Sequence, residues 1–170
     1  MQSLKTFCAL LIVAIIFGFG LEAKAVTLST NAVVRFVSPL VIATNQLPNF
    51  GSVATGGAGR VLTLDTNGNI TNTNAADYMS GAAVGKYTVT GSSNNTVNIS
   101  AQNYVANNNV IPSAATCAYN GGTANPCNLA AQVAPGSGKT LLVGITITTS
   151  GVSNDGDTAN PMFDLVVTYN

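Results

Sequence analysis

The sequence has no histidine and no tryptophan, and charged residues make up only 7% of its 170 residues. Without histidine, a Ser–His–Asp triad and a histidine general base are both excluded. No serine lies in a Gly-x-Ser-x-Gly motif, and six acidic side chains offer few pairs for a glycosidase. These absences predict a protein that is not an enzyme and that uses no cofactor and no metal.

Charge of either sign is scarce, since six Lys and Arg residues balance six Asp and Glu residues. A balanced chain lacks the positive surface that attracts nucleic acid or an anionic membrane, so neither is expected as a partner. Disorder is also disfavoured, because disordered chains combine high net charge with few apolar residues. Here 46% of the residues are hydrophobic.

Long apolar runs are absent except for one, over residues 8–19. A membrane-spanning helix needs about 20 apolar residues, so this run is too short for an anchor and is typical of a secretory signal peptide. Ala23 and Ala25 provide the small side chains that signal peptidase requires, which predicts cleavage before Val26. We therefore expect a signal peptide over 1–25 and an exported mature chain without a membrane span.

Cysteine is rare, and one of the three cysteines, Cys8, lies in the predicted signal peptide. The other two, Cys117 and Cys127, flank a turn-rich stretch and are expected to form a disulfide in an oxidising compartment. Two free thiols are the alternative. A zinc site is disfavoured, because the chain has neither histidine nor a second cysteine pair.

The mature chain, 26–170, has no stretch of about 12 residues with the apolar stripe of an amphipathic helix. Apolar and polar residues alternate instead, and turn-forming clusters interrupt them roughly every 8 to 15 residues. This pattern predicts a single all-β domain, a sandwich or a barrel. Its seven or more short strands are enough to bury a core between two sheets. Segments 86–90 and 96–100 are predicted to form a hairpin, and Asn67-Gly68 predicts the turn of another.

Three further patterns carry less weight. Asp155 and Asp157 resemble part of a calcium loop, but a solvated turn explains them better. Gly136–Thr140 ends like a phosphate loop but lacks its first glycine and its helix. Four tyrosines offer ring faces to sugars, although cross-strand packing is the favoured interpretation: Tyr78, Tyr87, Tyr104 and Tyr119.

Several short motifs lie along the mature chain, in 47–53, 56–59, 61–64, 87–91, 96–99, 143–147 and 165–170. Together they resemble a family of bacterial exported proteins that is grouped as "domain of unknown function 4402". The resemblance covers most of residues 32–170. It implies export and an immunoglobulin-like or pilin-like antiparallel β-sandwich, but no activity.

A looser resemblance is to chaperone–usher pilin subunits, which commonly end in an alternating strand with a penultimate tyrosine, as Tyr169 is here. Such pilins accept the N-terminal extension of the next subunit. The resemblance implies that residues 26–37 form either a donor strand for another subunit or an edge strand of their own domain. The side chains expected in these assembly strands are Val26, Leu28, Val34, Phe36, Phe163, Leu165, Val167 and Tyr169.

The expected function is that of a structural or adhesive surface protein, a fimbrial-type subunit that assembles by strand complementation. Its expected partners are copies of itself or related subunits, together with a periplasmic assembly chaperone. Its expected location is the periplasm, the cell surface or an extracellular fibre. The alternative is a monomeric extracellular module that binds glycans or host surfaces.

Overall fold

The computed structural model describes residues 27–72, 74 and 77–170. Contacts divide the chain into two units, Met1–Arg35 and Phe36–Asn170. Within the first unit, residues 27–35 are described, and they are exposed and form no helix or strand. The predicted cleavage site at Ala23, Ala25 and Val26 lies outside the described residues.

The second unit is all-β with antiparallel sheets, which confirms the predicted class, and no α-helix occurs among the described residues. Alternating apolar side chains favour strands here because each strand buries one face. The strands are β1 Val41–Gln46, β2 Ser52–Val53, β3 Val61–Leu64, β4 Ile70–Asn72, β5 Tyr78–Ser80, β6 Gly85–Thr90, β7 Val97–Val105, β8 Val110–Tyr119, β9 Asn125–Pro126, β10 Asn128–Gln132, β11 Lys139–Thr149 and β12 Met162–Tyr169.

Strand β11 is the centre of a seven-stranded sheet. Its residues 139–143 pair with β6, and its residues 145–148 pair with β3. Strand β8 pairs with β11 along most of its length. Strands β1, β4 and β9 extend the sheet beyond β6, β3 and β8, respectively.

Two smaller sheets accompany the large one. Strand β7 is the middle strand of a three-stranded sheet, with β10 on one side and β12 on the other. Strands β2 and β5 form a separate two-stranded sheet. The large and the three-stranded sheet share one core, whose buried side chains come from both: Tyr87, Val89, Leu141, Val143, Ala115, Cys117 and Tyr119 from the first, and Val97 and Ile99 from the second.

The predicted hairpin of 86–90 and 96–100 is wrong, although both segments are strands. Strand β6 lies in the large sheet and β7 in the three-stranded sheet, so the chain crosses between sheets. The crossing begins at Gly91, whose amide donates to the Gly136 carbonyl at 3.0 Å. Apolar faces that oppose each other from two sheets bury more surface than faces side by side in one sheet, which favours the crossing.

The predicted hairpin at Asn67-Gly68 is present. Strands β3 and β4 pair in register from Leu62 to Leu64, and the intervening turn has a positive φ of 86° at Gly68. Glycine adopts that backbone conformation without steric cost. The turn therefore forms where the sequence predicts it.

The predicted disulfide between Cys117 and Cys127 is also present, with a Cα–Cα distance of 4.8 Å. Both cysteines are buried and belong to the core. The amide of Cys127 donates to the Ala115 carbonyl of β8, and its carbonyl accepts the amide of Ala101 in β7. The chain thus passes from the large sheet to the three-stranded sheet at Cys127, and this segment closes one side of the core.

Candidate functional site: a groove beside the last strand

Strand β12 is an edge strand, since β7 is its only paired neighbour among the described strands. The Asn170 amide donates to the Thr96 carbonyl. This bond shows which residues of β12 direct their amides and carbonyls toward β7 and which direct them away from it. Even-numbered residues of β12 therefore bond to β7, while the amides and carbonyls of Leu165, Val167 and Tyr169 point to the open edge. This edge is regular, with consecutive register pairs from Asp164 to Tyr169.

The opposite edge of the same sheet, β10, is protected by an irregular backbone. A register shift between Leu129 and Gln132 interrupts its pairing with β7. Ala131 there has a positive φ of 49°, and its amide donates to Oδ1 of Asn98 at 2.8 Å. Bulges of this kind prevent the addition of another strand. Of the two edges, β12 is the one that can accept a strand.

The irregular edge leads to a prediction. Replacing Ala131 by glycine should raise the free energy of unfolding by about 0.5–1 kcal/mol, because glycine removes the steric cost of a positive φ. Urea denaturation of the variant Ala131→Gly measures the change. The matched control is Ala130→Gly, beside it on the same exposed edge, which should lower stability by about 0.5–1 kcal/mol. Equal changes in the free energy of unfolding for both substitutions would contradict the inference that the backbone is strained at Ala131.

A groove of about 1220 Å³ opens beside β12. Buried side chains of the large sheet line its floor, and Phe163 and Leu165 of β12 line its wall. The ring of Phe163 is stacked on Tyr104, with ring centroids 6.0 Å apart. The floor side chains are Leu62, Ile145 and Ile147, each at most 6% exposed. The groove thus has an apolar floor that is almost closed to solvent, and it lies next to an unpaired strand edge.

The predicted inward face of β12 packs on the core. Four of its side chains are half-buried against the core residues: Phe163, Leu165, Val167 and Tyr169. The Tyr169 hydroxyl accepts the Ser92 amide at 2.6 Å and donates to the Ser38 carbonyl. The penultimate tyrosine therefore fastens β12 to the crossing between the sheets and to the start of the second unit.

The N-terminal side chains that the sequence assigns to assembly lie in no strand. Leu28 is 86% exposed, Val34 69% and Phe36 93%, and Val26 lies outside the described residues. An alternating apolar segment that remains exposed is unusual for a chain that completes its own fold.

Arg60 and Asp77 form an ion pair that the sequence did not reveal, with Nη1 and Oδ1 3.5 Å apart. Both side chains are largely buried, at 14% and 9% exposure. Arg60 also donates from Nη1 to the Ala54 carbonyl at 2.6 Å and from Nη2 to Ser153 Oγ at 3.2 Å. Arg60 lines the groove, so its contacts bear on access to it.

Two other carboxylates, of Asp65 and Asp157, accept hydrogen bonds within turns. Burial raises the pKa of Asp65, but hydrogen bonds from Asn69 and Asn67 outweigh it, so the pKa lies below its ordinary value. Asp157 accepts the Asn154 amide at 2.8 Å and closes its own turn. No group of three or more potential metal-ligating side chains occurs in the part of the chain that the structure describes.

Two of the four tyrosines considered for sugar stacking are inaccessible. Tyr87 is 7% exposed and Tyr119 is 4% exposed, and burial raises the pKa of both. Tyr104 stacks on Phe163, and Tyr78 accepts the Ala82 amide through its hydroxyl. Cross-strand and core packing therefore accounts for most of these rings.

Among the described residues, no helix is long and apolar enough to cross a membrane. Comparisons of this chain with family models, with curated proteins and with solved structures find no match.

Proposed function

We propose that this chain is an exported, non-enzymatic structural subunit of a surface fibre or coat, with an open immunoglobulin-like sandwich that another subunit completes. The observation that carries the proposal is the difference between the two sides of the core. One side is closed by the segment through Cys127, whereas the other presents the unpaired edge of β12 beside an apolar groove. An open edge over an apolar surface favours the addition of a strand.

The proposed donor is the segment 26–32 of a second copy or of a related subunit. Seven residues of extended chain span about 24 Å at about 3.4 Å per residue, which matches most of the eight residues of β12. Within the described part of this segment, Leu28 is 86% exposed. The alternation places Val26, Leu28 and Ala32 on one side, where they would enter the groove.

The same edge defines the other proposed partner and the location. A regular unpaired edge beside apolar side chains promotes aggregation before assembly, so a periplasmic assembly chaperone is the expected companion of the free subunit. The buried disulfide requires an oxidising compartment to form. The proposed path therefore runs through the periplasm to the cell surface, in keeping with the resemblance to exported proteins.

The experiment is to measure particle size by light scattering for the purified protein with and without residues 26–32. We expect the intact protein to form oligomers or fibres, and the shortened protein to remain a folded, disulfide-bonded monomer. Two sets of substitutions, one on each face of the proposed donor strand, serve as the control. Polar replacements at Val26, Leu28 and Ala32 should abolish assembly. Conservative replacements on the other face, at Thr27, Ser29 and Asn31, should leave assembly unchanged.

Two results would contradict this function. Assembly of the shortened protein would exclude residues 26–32 as the donor. A monomer in every case, with or without an added chaperone, would exclude strand exchange and would favour the monomeric binding module.

A further inference from the structure

The ladder between β1 and β6 continues beyond both strands. After Gln46 and Lys86, the pairing proceeds through Asn49 with Ala83 and Ser52 with Ser80. The last bond of this ladder runs from the Ala54 amide to the Asp77 carbonyl at 2.8 Å. Residues 48–54 and 77–83 thus form one two-stranded ribbon, which we call the flap.

The flap leaves the large sheet. Strand β6 pairs with β11 only over residues 139–143 of that strand, and from residue 145 onward β3 takes its place. The flap strand 48–54 lines the groove beside Phe163 and Leu165. A two-stranded ribbon outside a larger sheet is marginally stable in water. Its position therefore depends on the contacts that hold it to the body.

Those contacts converge on Arg60. This side chain bonds to the flap through the Ala54 carbonyl and the Asp77 carboxylate, and to the body through Ser153 Oγ. A reciprocal pair of backbone bonds between Gly56 and Ser153 lies beside it. Arg60 is therefore the side chain that joins the flap to the loop after β11.

The ion pair is incompletely satisfied. Among the described residues, Arg60 Nε and Asp77 Oδ2 are buried without a hydrogen-bond partner. Buried polar atoms that lack a partner oppose the closed state, because water solvates them when the flap opens. The same pair thus fixes the position of the flap and limits the stability of its closed position.

We propose that the flap is a cover over the groove, latched by Arg60 and Asp77, and that its opening admits the incoming strand. The first part is a property of the free subunit, and the second rests on the function proposed above. The latch couples access to the groove with the breaking of one buried ion pair. The free subunit is then held in a closed form until a partner strand competes for the groove.

Hydrogen exchange with mass spectrometry on the full chain tests the latch. In the unmodified protein, flap amides such as Asn49, Ala54 and Ala83 should exchange at least about tenfold faster than those of β11, because they open without global unfolding. The variant Asp77→Asn should accelerate flap exchange at least about tenfold further while leaving β11 unchanged. The matched control is Asp157→Asn, which removes a groove carboxylate that does not contact Arg60 and should leave flap exchange unchanged.

The outcomes separate the latch from the function. Equal protection of the flap amides and the β11 amides from exchange would contradict the proposed role of the ion pair. Faster exchange of both segments in Asp77→Asn would contradict it as well. If Asp77→Asn opens the flap but assembles no faster than the unmodified protein, the flap does not control access and the second part is overturned. If no variant assembles, while the flap amides still exchange faster than those of β11, the role of the ion pair in holding the flap is supported and the proposed function is contradicted.

Discussion

Replacing Val167 by proline should weaken assembly by about tenfold to a hundredfold while leaving a folded subunit. The Val167 amide points away from β7 to the open edge of β12, so proline removes a donor that only the incoming strand of the proposed assembly would use. The incoming strand then carries an unpaired carbonyl in the interface, which costs about 1–3 kcal/mol. Light scattering over a range of protein concentrations measures the change.

The control for this variant is Val167→Ala. Alanine also removes side-chain packing against the core but keeps the backbone amide. The comparison therefore distinguishes the effect of lost side-chain packing from the effect of the lost hydrogen-bond donor at the strand edge. We expect Val167→Ala to assemble at nearly the normal concentration and both variants to unfold at similar urea concentrations. If alanine and proline weaken assembly equally, the edge of β12 is not the acceptor.

Local patterns in the sequence were sufficient to predict the strands that bury one face. The alternation of residues 162–170 predicted β12 and its inward face, and Asn67-Gly68 predicted the β3–β4 turn. The spacing of Cys117 and Cys127, together with the expected export, predicted their pairing. In each case the signal lies within about ten residues, where turn chemistry and periodicity decide the structure.

The assignment of strands to sheets and the contacts between distant segments could not be predicted from local patterns. The sequence predicts a hairpin where the chain crosses between sheets after β6, because a turn-rich stretch such as 91–95 has the same composition in both arrangements. The short strands β9 and β10 have no clear alternation in the sequence, since the chain changes sheets at Cys127 between them. The Arg60–Asp77 pair joins residues from separate loops, and a lone arginine and a lone aspartate carry no spacing signal.

Removing the disulfide should lower the free energy of unfolding by about 3 kcal/mol. The bridge spans a sequence separation of 10 residues, and in the chain-entropy model a loop of this size contributes about 3 kcal/mol. Both cysteines are buried near the point where the chain passes from the large sheet to the three-stranded sheet. The loss should therefore loosen the closed side of the core. Urea denaturation of the double variant Cys117→Ala, Cys127→Ala measures the change.

Reduction of the unmodified protein provides an independent measurement, because it breaks the covalent link but keeps both sulfur atoms in the core. We expect the reduced protein to lose most of the same stability, and alanine to lose a further fraction through lost packing. Hydrogen exchange should increase first in β9 and β10, which the bridge ties to β8. Equal stability of the oxidised and reduced proteins would show that hydrogen bonds from Cys127 alone close this side. In that case the contrast between the two sides of the core would not depend on export to an oxidising compartment.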